Sequence, residues 1–170
     1  GDVYAPTNFK DGMESYNKAE EKFKDGGNME DIKEYIAEAN TSFKKVFEFV
    51  DLANLSFPTT IKARENAITA ESETHAAELW KSAESTFKDA MEKMEDNNLD
   101  KAESLASEAE QMYSKTELAA IEQGILVNAR NQVKKNDEND VADYAPATQA
   151  RAKSLIAESE QKLAGDRYTR

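Results

Sequence analysis

From Ala102 the apolar positions run Leu105, Ala106, Ala109, Met112, Tyr113, Thr116, Ala119, Ala120, Gln123, Leu126, Val127 and Val133. Steps of three and four residues, held for about nine turns, define one stripe on a helix of 3.6 residues per turn. No strand tolerates that period. Similar stripes run Phe9, Met13, Tyr16, Ala19, Phe23 and Ile32, Tyr35, Ile36, Ala39, Phe43, Val46, Val50. Few β-branched runs and only 6 Gly and 3 Pro in 170 residues argue the same way. The length suits one domain, and residues 1–170 are read as a single helical-repeat domain.

The stripes are separated by readable punctuation. In "KDGGN" the glycines suit a helix C-cap, and Asn28 suits the next N-cap before Met29. "EDNN" does the same before Leu99, with Asn98 as the cap. Pro58 in "SFP" opens a helix, and the polar loop "KKNDENDVADYAP" ends in Pro146, a second helix-opening proline. Five helices are therefore expected, at roughly 6–25, 29–56, 58–96, 99–135 and 146–164.

The chain also repeats itself. "YAPTNFKDGMESYNKAEEKF" from Tyr4 returns as "YAPATQARAKSLIAESEQKL" from Tyr144, and more weakly as "HAAELWKSAESTFKDAMEKM" from His75. Phe9 matches Trp80. Tyr16 matches Phe87 and Ile156, Phe23 matches Met94 and Leu163, and Lys22, Lys93 and Lys162 coincide. The match continues through the turn, where Asn28, Tyr35, Ala39 and Phe43 align with Asn98, Leu105, Ala109 and Tyr113. The repeated object is a helical hairpin of roughly 70 residues, about twice the tetratricopeptide period. Hairpin 1 covers about 4–57, hairpin 2 about 58–136, and a truncated third copy about 144–170. Gly165-Asp166 reads as its turn and Tyr168 as the start of a missing partner helix, with Gly1 the first residue of a trimmed chain. One amphipathic hairpin cannot bury both faces, so stacked copies cover each other. The expected fold is all-α: an elongated antiparallel bundle of about five helices, close to a coiled coil, its Ala-rich core allowing close approach.

Charge narrows the partners. With 34 acidic against 22 basic residues the net charge is −12, which repels phosphate backbones and anionic headgroups, so nucleic-acid binding is not expected. No apolar run approaches the roughly 20 residues of a membrane span, so direct membrane insertion of this segment is not expected either. The absence of cysteine excludes disulfides and leaves the redox compartment open.

The Ala-Pro opening, aromatic and Ala at three- and four-residue steps, the Gly-Asp or Asn turn, and "LDKAESLASEAEQMYSKTE" together resemble a bacterial envelope protein family. Its members are Ala/Glu-rich helical-hairpin repeats in exported proteins, commonly lipoproteins, often preceding a peptidoglycan-binding domain like that of outer membrane protein A. The resemblance is best over 75–120 and 144–168 and extends over 4–46; the aromatic-rich stretch 47–74 departs from it. It implies a periplasmic location, a lipid anchor or wall-binding domain elsewhere in the polypeptide, a protein partner in the envelope, and a scaffold role. It carries no catalytic residues.

Candidate chemistry is sparse. His75, the only histidine, has Glu71 and Glu78 near its helix face. A four-helix di-iron site needs two Glu-x-x-His motifs, and a second histidine does not exist, so a surface or packing role is expected and no metal. No nucleophile elbow or phosphate loop occurs, and no catalytic residue or cofactor is expected. Trp80 is read as core over a ligand shelf, because it matches Phe9. The anomaly is "VFEFVDLANLSF". Phe47, Phe49, Leu52, Leu55 and Phe57 leave no single stripe. Either neighbouring helices cover this end on several sides, or it is an exposed patch that docks a protein, a peptide or a small apolar ligand.

Overall fold

A computed structural model describes residues 2–165. In order the chain forms α1 (Pro6–Lys24), α2 (Met29–Ser56), α3 (Pro58–Thr69), α4 (Ser72–His75), α5 (Ala77–Glu95) and α6 (Leu99–Ala120). A π-helical turn (Ile121–Leu126), α7 (Val127–Glu138), α8 (Val141–Tyr144) and α9 (Pro146–Ala164) follow. The described residues form helices joined by short turns and include no strand. Asp166 and Tyr168, read above as a turn and a new helix, lie outside the described residues.

The helix starts follow the local chemistry. Pro6, Pro58 and Pro146 each open a helix, where the missing N–H costs nothing. The Asn28 side chain accepts from the Glu30 N–H at 2.9 Å, and Asn98 accepts from the Lys101 N–H at 3.4 Å. Gly26 takes the left-handed C-terminal position after α1, with φ of 68°. After α5 the same position is filled by Asn97, with φ of 57°, the non-glycine residue best suited to it.

Two expected helices are interrupted. The segment 58–96 is not continuous: α3 ends at Thr69, Glu71 turns left-handed at φ 57°, and α4 makes one turn before Ala76 swings out of the helical region. The helix expected over 99–135 contains the π turn and continues to Glu138. The following loop is shorter than expected, because Asp140 turns left-handed at φ 53° and α8 occupies 141–144.

The interruptions share one geometry. Ala76 has φ −141° and ψ 44°, Ala145 φ −142° and ψ 59°, and Ala5 φ −154° and ψ 68°. Each alanine carbonyl accepts from the N–H four residues on: Trp80 for Ala76, Gln149 for Ala145 and Phe9 for Ala5. Before Pro6 and Pro146 the proline ring keeps the preceding alanine out of the helical region. Ala76 lacks that constraint and adopts the same backbone.

The chain divides into two compact units. The first comprises Gly1–Ala63 and Ser82–Met112, the second Arg64–Lys81 and Tyr113–Arg170. In the first unit α1 packs along α2, with the Phe9 and Phe43 ring centroids 6.0 Å apart. Gly12 permits this approach, since a Cβ there would lie 2.7 Å from the Phe43 ring. Thr60 on α3 donates to the Ala106 carbonyl of α6 at 3.1 Å. Among the described residues fourteen of the twenty-three buried apolar side chains are alanine, so helices meet through small contacts rather than interlocked large ones. In α2 the buried residues fall seven apart at Ile32, Ala39, Val46 and Ala53. In α6 they alternate steps of four and three from Ala102 to Tyr113, a coiled-coil seam.

The second unit is built around the interrupted region. Ala70, Ala76 and Ala120 form a buried cluster bordered by Ala119 and Ile121. The buried Ser72 hydroxyl donates to the Thr116 carbonyl at 3.4 Å, tying α4 to α6. Beyond the π turn, α7 and α9 pack together.

Candidate docking surface

The apolar end of α2 divides between two environments. Val46, Ala53 and Phe57 turn inward and are buried, Phe57 at 7% exposure. Its N–H closes the helix on the Ala53 carbonyl at 2.8 Å. Phe49 and Val50 are half-buried at the margin. Phe47, Leu52 and Leu55 face solvent, Phe47 at 72% and Leu55 at 80% exposure. Of the five residues singled out by sequence, three therefore stand on the surface, one at its edge, and Phe57 belongs to the core. At 100° per residue Leu55 lies between Phe47 and Leu52 on the outward face, with the exposed Glu48 and Asp51 among them. The result is a convex strip of large apolar side chains edged by carboxylates.

His75 belongs to the packing of the second unit. Its ring rests on Gly124 in the π turn, where a Cβ would lie 2.5 Å from the imidazole. Nε2 lies 3.6 Å from the exposed Glu71 carboxylate. Among the described residues no three histidine, aspartate or glutamate side chains gather as a metal set. Trp80 is half-buried, with the Tyr113 ring 5.6 Å away on one side and the Arg64 guanidinium 5.6 Å from its centroid. An aromatic held between a ring and a cation is already engaged.

Two polar arrangements were invisible in the helical periodicity. The Glu95 carboxylate on α5 accepts from the Thr7 and Asn8 N–H groups at 2.9 Å each and from the Asn8 side chain at 2.6 Å. It closes the N-terminus of α1 from 87 residues away, because Ala5 offers no side-chain cap. On α9, Gln149 is 3% exposed and donates to Asp137 at 2.8 Å while accepting from Asn136 at 3.1 Å. Lys153 meets the same Asp137 at 2.8 Å. Lys153, and then Gln149, hold the Asp137 carboxyl below the ordinary aspartate range. The available signal was repetition: Gln149 stands where the other copies place Phe9 and Trp80, a polar residue on an aromatic position.

Near these residues Leu118, Leu126 and Leu163 line an open groove between the end of α6, the π turn, α7 and α9. The Arg130–Glu160 ion pair at 2.7 Å crosses it. Among the described residues no helix is long and apolar enough to cross a membrane. No protein-family model, curated protein or solved structure matches this chain.

Proposed function

We propose that this protein is a non-enzymatic scaffold or spacer of the bacterial cell envelope, built from helical-hairpin repeats of roughly 70 residues, that docks a protein partner through the outward face of α2. The observation that carries the reading is the exposure of Phe47, Leu52 and Leu55 on a helix whose opposite face is buried. Large apolar side chains clustered in water and edged by charge mark interaction surfaces more often than incidental exposure. Support for the repeat comes from the recurring backbone at Ala5, Ala76 and Ala145 and from the left-handed residue after both α1 and α5. The periplasmic location, with an anchor or wall-binding domain elsewhere in the polypeptide, rests on the resemblance in the sequence.

A second reading, a module for a peptide or small apolar ligand beside Phe47 and Phe49, draws on Phe49 being half-buried next to the exposed Phe47. The convex strip suits a protein surface better, since small ligands need concave burial. A photo-crosslinker at Leu55 in cells separates the two readings. A discrete protein adduct, lost with Phe47→Glu, is expected. No adduct, together with a melting shift on adding small apolar ligands that disappears with Phe47→Ala, would transfer the assignment to the second reading. Cytoplasmic fractionation would remove the envelope part.

A further inference from the structure

The outward face of α2 interleaves apolar side chains with carboxylates in a regular order. Phe47, Asp51 and Leu55 follow one another at four-residue steps and form one row along the helix. Glu48 and Leu52 form the row beside it, and all five side chains are exposed. Each large apolar group thus has a carboxylate within one turn, over a strip about 12 Å long.

This charge is not balanced from within. Between Lys45 and Lys62 the sequence holds Glu48 and Asp51 and no cation. Among the described residues neither carboxylate has a hydrogen-bond or ion-pair partner. Elsewhere on α1 and α2, Glu20, Glu30 and Asp31 are paired with Lys24, Lys33 and Lys22. The last turn of α2 carries no basic residue either, so the negative end of the helix dipole lies beside the strip uncompensated. Lys44 and Lys45 come before Phe47 and leave the Leu52–Leu55 end negative.

These features narrow the occupant. An anionic lipid surface is repelled by unpaired carboxylates. An extended segment finds no free backbone group to pair with in the middle of a helix. A second helix fits, because its own four-residue rows can lie between those of α2. We infer, on the basis of the docking role proposed above, that the partner of this face presents a cationic amphipathic helix. Its apolar side chains seat among Phe47, Leu52 and Leu55, while lysine or arginine on the same face meets Glu48, Asp51 and the end of α2. The apolar contacts supply affinity, and the carboxylates select against acidic helices.

Fluorescence anisotropy with two synthetic helical peptides tests this, one of leucine and lysine and one of leucine and glutamate with the same leucine spacing. The Leu/Lys peptide should bind and the Leu/Glu peptide should not. Leu55→Ser should weaken binding by about tenfold, as loss of an apolar anchor does. Glu48→Gln with Asp51→Asn should weaken it by about fivefold and flatten its salt dependence. Circular dichroism should be unchanged, since all three side chains lie at the surface. A chain of net charge −12 attracts any polycation, so Leu/Lys binding indifferent to Leu55→Ser would overturn the inference. Equal binding of the Leu/Glu peptide would do the same, as would self-association or binding to anionic vesicles that Leu55→Ser abolishes. In cells, a protein adduct at Leu55 that forms unchanged in the Glu48→Gln, Asp51→Asn variant would leave the docking role standing and remove the cationic partner. No adduct at all would remove both.

Discussion

Gly124→Ala isolates the contact around which the second unit turns. A Cβ at Gly124 would lie 2.5 Å from Cδ2 of His75, 2.8 Å from Cγ and 2.9 Å from Nε2. Carbon atoms rest at about 3.5–4.0 Å, so the ring would have to retreat by about 1 Å. It is poorly placed to do so. The His75 N–H bonds the Glu71 carbonyl at 3.0 Å, and Ser72 on the same turn is buried against the Thr116 carbonyl. Overpacking of this kind costs about 1–3 kcal/mol. Replacing a helical glycine by alanine returns roughly 0.5–1 kcal/mol in backbone entropy. The net expectation for Gly124→Ala is a loss of about 0–2.5 kcal/mol. Removing the ring first changes the sign. In a His75→Ala background Gly124→Ala meets no imidazole, and only the gain of about 0.5–1 kcal/mol remains. Urea unfolding of the wild type, both single variants and the double variant closes the cycle, with a coupling of about 1–3 kcal/mol expected. A Gly124→Ala gain of the same size in both backgrounds would refute the placement of His75 on the π turn.

Other substitutions probe the first unit and the α7–α9 contact. Phe87→Ala, at a fully buried ring, should lose about 3–5 kcal/mol in the same unfolding assay. Lys93→Ala should leave the unfolding midpoint almost unchanged, because its 3.0 Å pair with Asp96 is exposed and i,i+3 on one helix end. Equal losses would reverse the inward and outward assignments on α5. Glu95→Ala should cost about 0.5–2 kcal/mol, the range for losing a helix cap, and raise amide exchange at Thr7 and Asn8. Because Asp137 titrates below its unfolded value, the folded chain holds that proton more weakly than the unfolded one. Its contribution is present above the ordinary aspartate range and is lost as pH falls through the lowered value. Stability measured from about pH 6 to about pH 2 should therefore decline less steeply in Asp137→Asn, and an unchanged slope would deny the Lys153 and Gln149 contacts that role.

The helices were legible because their punctuation is local. An asparagine before Met29, a proline after Phe57 and glycines after Lys24 act on the backbone within one turn, whatever surrounds them. The interruption at 70–76 carries no such mark. "AESETHA" contains neither glycine nor proline, and Glu71 pays the left-handed cost without glycine's exemption. Yet the chain states the break elsewhere. Ala145 closes a visibly polar loop, and Ala76 occupies the same place in the preceding copy. Carrying the loop from one copy to the other would have placed the break. The π turn has a fainter cue, a lone Gly124 in an otherwise regular stripe, and its purpose is visible only once His75 is seated there.

Exposure was the least legible property, and the reason is physical. The sequence places Tyr16 and Phe87 at matching positions of the apolar stripes of two helices, α1 and α5. One is 46% exposed and the other 0%, with the Tyr4 ring standing edge-on against Phe87, because burial depends on what packs against the helix and not on its own period. The same limit applies at the end of α2, where Phe47 and Phe57 look alike in sequence and differ tenfold in exposure, 72% against 7%. On the outward face of α2, Phe47, Leu52 and Leu55 project into water while Ala53 and Phe57 on the same helix end are buried, and it is this split, set by what packs against each side, that makes the outward face the surface proposed above for a protein partner.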